Sequence, residues 1–231
     1  QGPVTGGSRP QEHGLKIRVV YNPRTGRKRE KRFKAVMALL EARGHTCEIL
    51  ITTKAGDAAG FVRETTSDNA DILAIAGGDG TINDAIQGAG PQTPPLGLIP
   101  LGTANVLAHE LGIGTDPHRI ANCLAEARIL KIRPGQVNGH RFMMMAGIGL
   151  DAQVVSDLSR ATKTRFGKAA YLIEVFRTLR RWSCPPVDVR LDDEPEKAAT
   201  LIVSRGKRYG GTFVLAPKCD LANPSFCATI F

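Results

Sequence analysis

Aromatic residues make up only 5% of this sequence. Proteins that grip single-stranded nucleic acid interleave aromatic platforms with cations. Nucleic acid is therefore not the expected partner, although the net charge is +9. No apolar run is long enough to span a membrane. The five cysteines, Cys47, Cys123, Cys184, Cys219 and Cys227, are scattered, odd in number and without a CxxC pair. Reduced thiols are expected, rather than a zinc or disulfide framework. The five histidines form no ligand pattern. A Walker lysine motif is missing, which excludes a P-loop enzyme. No internal repeat is present. Gln1–Gly14 is polar, Gly/Pro-rich and without a secretory h-region, and reads as a disordered lead-in. What these absences leave is a globular cytosolic chain, long enough for one large domain or two small ones.

What the sequence does have is concentrated in Asp71–Gly88, DILAIAGGDGTINDAIQG. Ile72–Ala76 is a short continuous apolar run, the mark of a strand buried on both faces. Thr81–Gln87 spaces Ile82, Ala85 and Ile86 at helical intervals. Gly77, Gly78, Asp79, Gly80 and Thr81 lie between them. A strand, a glycine turn and a helix N-terminus together make an anion site, through close backbone approach, free amides and the helix dipole. A carboxylate does not help to hold phosphate. Asp79 in that turn therefore points to a divalent cation or a hydroxyl partner. The plainer reading is a tight turn with an exposed acid.

Two neighbouring turns weigh against the plainer reading. Pro100–Asn105 (PLGTAN) follows an apolar strand, Leu96–Ile99, and opens a helix over Val106–Leu111. Tyr21–Gly26 follows the strand Lys16–Val20 and precedes another helix. In open parallel sheets, ligands bind at the carboxyl ends of strands. Together these turns resemble the diacylglycerol kinase catalytic family, which includes sphingosine, ceramide and bacterial lipid kinases. The resemblance is carried by NPRTG at Asn22–Gly26, GGDGTIND at Gly77–Asp84, PLGTAN at Pro100–Asn105 and GIGLDA at Gly147–Ala152. It runs from about Ile17 to the end of the chain.

Strands and helices alternate through the first part of the chain. Phe33, Val36, Met37 and Leu40 form one stripe on a helix over Arg32–Arg43, ended by Gly44. A strand at Cys47–Ile51, a helix at Ala58–Thr66 and another at Pro117–Arg128 follow, the last turning Ile120, Leu124 and Ala127 inward. This order predicts an α/β fold, with an N-terminal doubly wound parallel-sheet domain over residues 15–132. Residues 133–231 read as an antiparallel β-sandwich-like domain, apparently truncated at the C-terminus. Its strands are expected at Arg141–Ile148, Val187–Leu191, Ala199–Ser204, Thr212–Ala216 and Phe226–Phe231. A helix over Phe166–Arg181 interrupts them. With Arg177, Arg180, Arg181 and Trp182 it is either packed on the sheet or a basic edge at an anionic lipid surface. The Lys/Arg clusters at Arg27–Arg32, Lys163–Lys168 and Arg205–Arg208 are solvated faces or part of the same surface.

The resemblance implies a lipid kinase using ATP and Mg²⁺, cytoplasmic and peripheral to the inner membrane face. Its substrate is diacylglycerol or a related membrane lipid, and its setting is phospholipid biosynthesis. The implied nucleotide residues are Asn22, Pro23, Arg24, Thr25, Gly26, Thr52, Gly77, Gly78, Asp79, Gly80, Thr81, Gly102 and Thr103. Thr52 is also readable as a simple turn residue. Asp79 is the implied catalytic acid and would hold Mg²⁺ against the phosphates. The lipid hydroxyl would enter near Gly147–Asp151. Two departures from the family pattern stand out. Asn223-Pro224 replaces an Asp-Gly pair in a loop that binds a second metal, leaving Asp220 and backbone carbonyls. The general base is expected in an acidic turn beyond Phe231, as if the chain were a fragment. The resemblance leaves a homodimer open. The alternatives are a nucleotide-binding regulatory relative without transfer and a soluble-substrate kinase of the NAD kinase type.

Overall fold

The computed structural model describes residues 14–24, 26–126, 128–157, 185–191 and 194–231. They gather into two compact units. One runs to Met143 and takes in Gly210–Thr212, and the other covers Met144–Tyr209 and Phe213–Phe231.

The first unit begins β1 (Lys16–Tyr21), α1 (Arg27–Glu41), β2 (Thr46–Ile51), α2 (Asp57–Glu64) and β3 (Ile72–Gly77). It continues α3 (Asp79–Gly88), β4 (Leu96–Pro100), α4 (Val106–Glu110) and α5 (Pro117–Glu126). The four strands are parallel, in the order β2-β1-β3-β4. Every residue of the central β3 is buried, which explains its unbroken apolar run. Ile17, Val19, Tyr21, Ile72, Ala74 and Ala76 meet the buried stripe of α1 and Ile120, Ala121 and Leu124 of α5. The alternate residues, among them Val20, Leu73 and Ile75, point to the opposite face and are buried too. There α2 and α3 pack on each other. Helices thus cover both faces, as the alternation of elements predicts. The winding reverses between β1 and β3, and a crevice opens at such a reversal, at the strands' carboxyl ends.

The stripe of α1 is the predicted one, with Phe33, Val36, Met37 and Leu40 buried. The helix begins earlier than the stripe, so the cluster Arg27–Arg32 forms its first turns. It stops where expected: Gly44 has φ 81°, and the His45 N–H reaches back to the Leu40 carbonyl at 3.2 Å. Tyr21, at the end of β1, stacks on Phe33 at 4.0 Å between ring centres. A cavity of about 260 Å³ lies on the β4 side, among Ile82, Ile86, Leu98, Leu107, Leu124 and Met143, and none of the glycine turns lines it.

A hairpin, β5 (Gly135–Val137) and β6 (His140–Phe142), completes this unit. The sequence reading gives residues 133 onward to the second domain, but this hairpin docks on α3. Arg141 donates to the carbonyls of Ile86 at 3.1 Å and Ala89 at 2.6 Å, covering the end of the helix. Gln87 and the Arg141 backbone exchange two more bonds, at 2.8 and 3.0 Å.

The second unit contains β7 (Met145–Gly149), α6 (Leu150–Asp157), β8 (Val187–Leu191), β9 (Glu194–Ala198) and β10 (Thr200–Ser204). It ends with β11 (Arg208–Tyr209), β12 (Phe213–Val214) and β13 (Cys227–Ile230). A three-stranded antiparallel sheet has the order β13-β10-β7. Separate ribbons pair β8 with β9 and β11 with β12. Val189, Ala198 and Leu201 form a small core, flanked by Val187, Val203 and Ile230.

Three expectations are corrected here. The strand read at Arg141–Ile148 is two strands, broken at Met143 and Met144, where an uninterrupted apolar run gave no boundary. The strand read at Thr212–Ala216 shrinks to Phe213–Val214. Cys219 and Cys227 are joined as a disulfide, with Cα atoms 5.9 Å apart, against the expectation of reduced thiols. The chain folds back after Ala216 and brings the first residue of β13 onto Cys219. Cys47 and Cys123 are free thiols. Several expectations lie outside the described residues: the lead-in up to His13, Thr25, Ala127, Lys163–Lys168, the helix at Phe166–Arg181, Trp182 and Cys184.

Candidate functional site

Four loops leave the carboxyl ends of the parallel strands at the same level. After β1, β2 and β4 the first amide beyond the strand extends the ladder by one step. Asn22 N–H donates to Ala76 O at 3.0 Å, Thr52 N–H to Tyr21 O at 2.9 Å and Leu101 N–H to Gly77 O at 2.8 Å. The loops after β1, β3 and β4 are then tied together by side chains.

Asn22 sits at the reversal between β1 and β3. Its carbonyl oxygen accepts from Arg24 N–H at 3.1 Å, closing the Asn22–Arg24 turn. Its amide donates to Thr81 Oγ1 at 3.1 Å, joining the first loop to α3. Pro23 and Arg24 are exposed in this turn, and Gly26, with φ 82°, leads into α1. Arg24 donates to Thr53 O at 2.8 Å and so reaches the loop after β2.

Gly77 ends β3, and Gly78 precedes α3. Gly78 and Gly102 touch backbone to backbone. A Cβ on Gly102 would stand 2.5 Å from Gly78 Cα, and one on Gly78 would stand 2.9 Å from Gly102 Cα. Asn105 holds the other turn in shape from a left-handed conformation, φ 47°. Its oxygen accepts from Gly102 N–H at 2.7 Å, and its amide donates to Gly102 O at 3.0 Å. Asp79 links the two turns again: Oδ1 accepts from Val106 N–H, the first residue of α4, at 2.7 Å. The Asp79 carboxylate is thus already a helix cap, supplied from a neighbouring helix.

Gly80 is different. It lies in the first turn of α3, exposed, and nothing stands within 4 Å of where a Cβ would be. The fold does not require glycine there.

Cations gather beside these turns. Arg29 donates to Thr103 Oγ1 at 3.1 Å, and Arg32 donates to Pro100 O at 2.8 Å. Burial, and then the neighbouring Arg29, push the Arg32 guanidinium down from its ordinary pKa. Arg27, Lys28 and Arg29 occupy the N-terminal turn of α1, the positive end of its dipole. Each such cation costs a helix roughly 0.3–1 kcal/mol unless an anion offsets it.

Thr52 is buried, and its hydroxyl points back to Tyr21 O at 3.4 Å. The next turn is held by Asp57, whose Oδ2 accepts from Thr53 N–H, Thr53 Oγ1 and Lys54 N–H at 2.8, 2.8 and 3.0 Å. Those bonds hold its carboxyl below the usual range. Asp84 Oδ2 accepts from Gly56 N–H at 3.1 Å. Asn105, Arg29 and Arg32 were not among the expected site residues. Asn105 is visible in the sequence as the last residue of the quoted GTAN turn, and Arg29 and Arg32 only as members of the basic cluster Arg27–Arg32.

In the second unit Gly147 lies in β7 and Asp151 in the first turn of α6. Asp220, left by the altered loop as a metal ligand, accepts from Ala222 N–H at 2.9 Å. Among the described residues no group of three or more His, Cys, Asp or Glu is placed to hold a metal ion. No described helix is long and apolar enough to cross a membrane.

Residues 16–137 match the diacylglycerol kinase catalytic domain. The chain is 32% identical over 217 residues to a diacylglycerol kinase of Bacillus subtilis (strain 168), covering 91% of this chain and 72% of that protein. With a diacylglycerol kinase of Staphylococcus saprophyticus it shares 31% over 220 residues, 93% of this chain and 72% of the relative. A solved diacylglycerol kinase of Bacillus anthracis str. Sterne has the same fold, with a TM-score of 0.73 at 21% identity, over 93% of this chain and 75% of that one.

Proposed function

The chain belongs to the diacylglycerol kinase catalytic domain family, and from that premise we propose that it transfers the γ-phosphate of ATP to a hydroxyl of diacylglycerol or a related membrane lipid. The observation that carries the nucleotide half is Gly80. Glycine in a helix costs about 0.5–1 kcal/mol relative to alanine. Among the described residues no neighbour of Gly80 asks for it. A triphosphate approaching the backbone at the start of α3 would. The cations at the start of α1 support the same reading, because a bound polyanion removes their conflict with the dipole.

Phosphoryl transfer is mostly positioning and charge stabilisation. The turns at Asn22–Gly26, Gly77–Thr81 and Gly102–Thr103 supply amides and hydroxyls for the phosphates. Asn22 and Asp79 keep those turns fixed on one another, and Asn105 keeps the Gly102 turn in shape. The attacking lipid oxygen forms its bond to phosphorus as the bond to ADP breaks, and its proton leaves to a base. Mg²⁺ commonly binds through one or two carboxylates together with nucleotide phosphates, so Asp79, with Oδ1 engaged, fits as the single protein carboxylate of a Mg-ATP complex. The ion would neutralise phosphate charge there. A second reading, a nucleotide-binding relative without transfer, is favoured by the engagement of Asp79 as a cap.

Calorimetry with Mg-ADP and labelled-ATP transfer to diacylglycerol or sphingosine vesicles separate the two. Gly80→Ala should leave the fold intact while lowering Mg-nucleotide affinity about tenfold or more, some 1.4 kcal/mol. Asp79→Asn keeps an oxygen for Val106 N–H yet should lower transfer by orders of magnitude. Unchanged nucleotide affinity in Gly80→Ala would defeat the nucleotide assignment. Binding without transfer by the unmodified chain would establish the second reading.

A further inference from the structure

The ribbon of β11 and β12 exposes apolar side chains that the nucleotide turns do not use. Phe213 is 75% exposed and Val214 59%. Scattered exposed apolar residues are ordinary. This pair differs in three respects. First, the two residues are adjacent and lie on a hydrogen-bonded ribbon. Arg208 pairs with Val214 and Tyr209 with Phe213, so the two aromatics share one face. Second, the ribbon's base is fixed. Leu215 N–H and Ala216 N–H both donate to Lys207 O, at 2.9 and 3.2 Å, and Ala216 is buried. An apolar strand held at its base needs little ordering when it meets a partner. Third, its stretch of sequence carries one sign of charge. From Arg205 to Cys219 the sequence contains no acid. Lys207 and Lys218 are exposed and Arg208 half-buried. The next acid, Asp220, accepts from Ala222 N–H.

We propose that the exposed strand Phe213–Val214 is a membrane-docking element, with Phe213 inserted at the interface of an anionic bilayer and Lys207, Arg208 and Lys218 over the headgroups. Aromatic residues settle at the headgroup level, and each cation near an anionic surface adds attraction that salt screens. The inference rests on the lipid-kinase reading for its purpose, since a substrate held in a bilayer must be met there.

Sedimentation with phosphatidylcholine vesicles, with and without phosphatidylglycerol, is the test. The double variant Phe213→Ser/Val214→Ser should bind anionic vesicles about tenfold more weakly, with urea unfolding and the amide protection of β10 unchanged as the check that the second unit is folded. Lys207→Glu/Lys218→Glu should flatten the dependence on phosphatidylglycerol and on salt. In a Trp182→Phe background, Phe213→Trp should shift to the blue on vesicles and be quenched by brominated lipid. Wild-type-like binding by the serine variant, an unquenched Trp at position 213, or no binding by the unmodified chain would each overturn the proposal. Transfer to a dispersed short-chain diacylglycerol is measured alongside. Docking through Phe213 without any transfer defeats the kinase reading alone. Transfer with undiminished docking by the serine variant defeats this inference alone.

Discussion

In the first unit each parallel strand ends in a loop, and the loops after β1, β3 and β4 are bonded to one another. In the second unit strands of two to five residues pair in one sheet and two ribbons, and the loop before β13 is closed by a disulfide. Among the described residues the core of the first unit runs from Leu15 to Leu124, whereas that of the second gathers around Val189, Ala198 and Leu201. The difference shows how each unit is held. The first is fixed by buried area and by backbone contact between turns, the second more by local ties. Changes to backbone contact should therefore be severe in one, and changes to a covalent tie should be felt in the other.

Gly102→Ala should have the largest effect. Its Cβ would meet the Cα of Gly78 at 2.5 Å, a backbone atom that cannot rotate away. Overpacking typically costs about 1–3 kcal/mol, occasionally more, and this position belongs at or above about 3 kcal/mol because two backbones must part. Parting them also pulls apart the turns joined by Asp79 and strains the Gly102 turn held by Asn105, so Mg-nucleotide binding should disappear. Urea unfolding and calorimetry on the same sample measure both losses. A stable variant with intact binding would show that the two turns are not locked, and the contrast between the units would weaken.

Those locked turns were legible because local and distant preferences agree there. The buried strand Ile72–Ala76, the stripe of α1 and the three Gly/Thr/Asn turns each carry their own periodicity or turn chemistry. What was missed depends on partners remote in sequence. Arg141 and Gln87 are 54 residues apart, and nothing near either announces the other. β9, Glu194–Ala198, reads EPEKA, with no apolar alternation, and it stands by backbone pairing with β8 and by burying Ala198. Asp79 was legible as an acid in a phosphate turn, but not as the cap of α4, since Val106 arrives from another strand's loop.

The disulfide tests the second unit and should matter less than Gly102. Cys219 and Cys227 are eight residues apart. Closing so short a loop in the unfolded chain is worth about 2.5 kcal/mol on the chain-entropy model. Reduction, or Cys219→Ser/Cys227→Ser, should lower unfolding stability by that order and speed amide exchange in β13. Mg-ADP affinity should stay within a few-fold, because the nucleotide turns all belong to the first unit. A large fall in affinity on reduction would mean that the two units do not answer separately.

Smallest of all is a pH effect confined to the first unit. Every histidine of the sequence precedes Met144, so the second unit has none to titrate near neutrality. His45 lies between α1 and β2 and accepts from Leu15 N–H through Nδ1 at 3.1 Å, a bond that needs the neutral ring. Burial, and then Arg43, lower its pKa below the ordinary 6.5. The folded protein therefore prefers neutral His45, and the unfolded chain takes up the proton more readily. The contribution is complete above about pH 6.5 and is lost as the pH falls from there through the lower folded value. Thr46 N–H also bonds to Leu15 O, at 2.8 Å, so protonation should loosen the start of β1 against β2. Between about pH 7 and pH 5 the Tm of the unmodified chain should fall more than that of His45→Gln, whose amide oxygen can accept the bond without titrating. Amide protection of β1, corrected for intrinsic exchange, should decline while that of β10 holds. Parallel pH profiles for the two proteins would remove His45 from the account, and equal loss in β10 would show that acid reaches the second unit by another route.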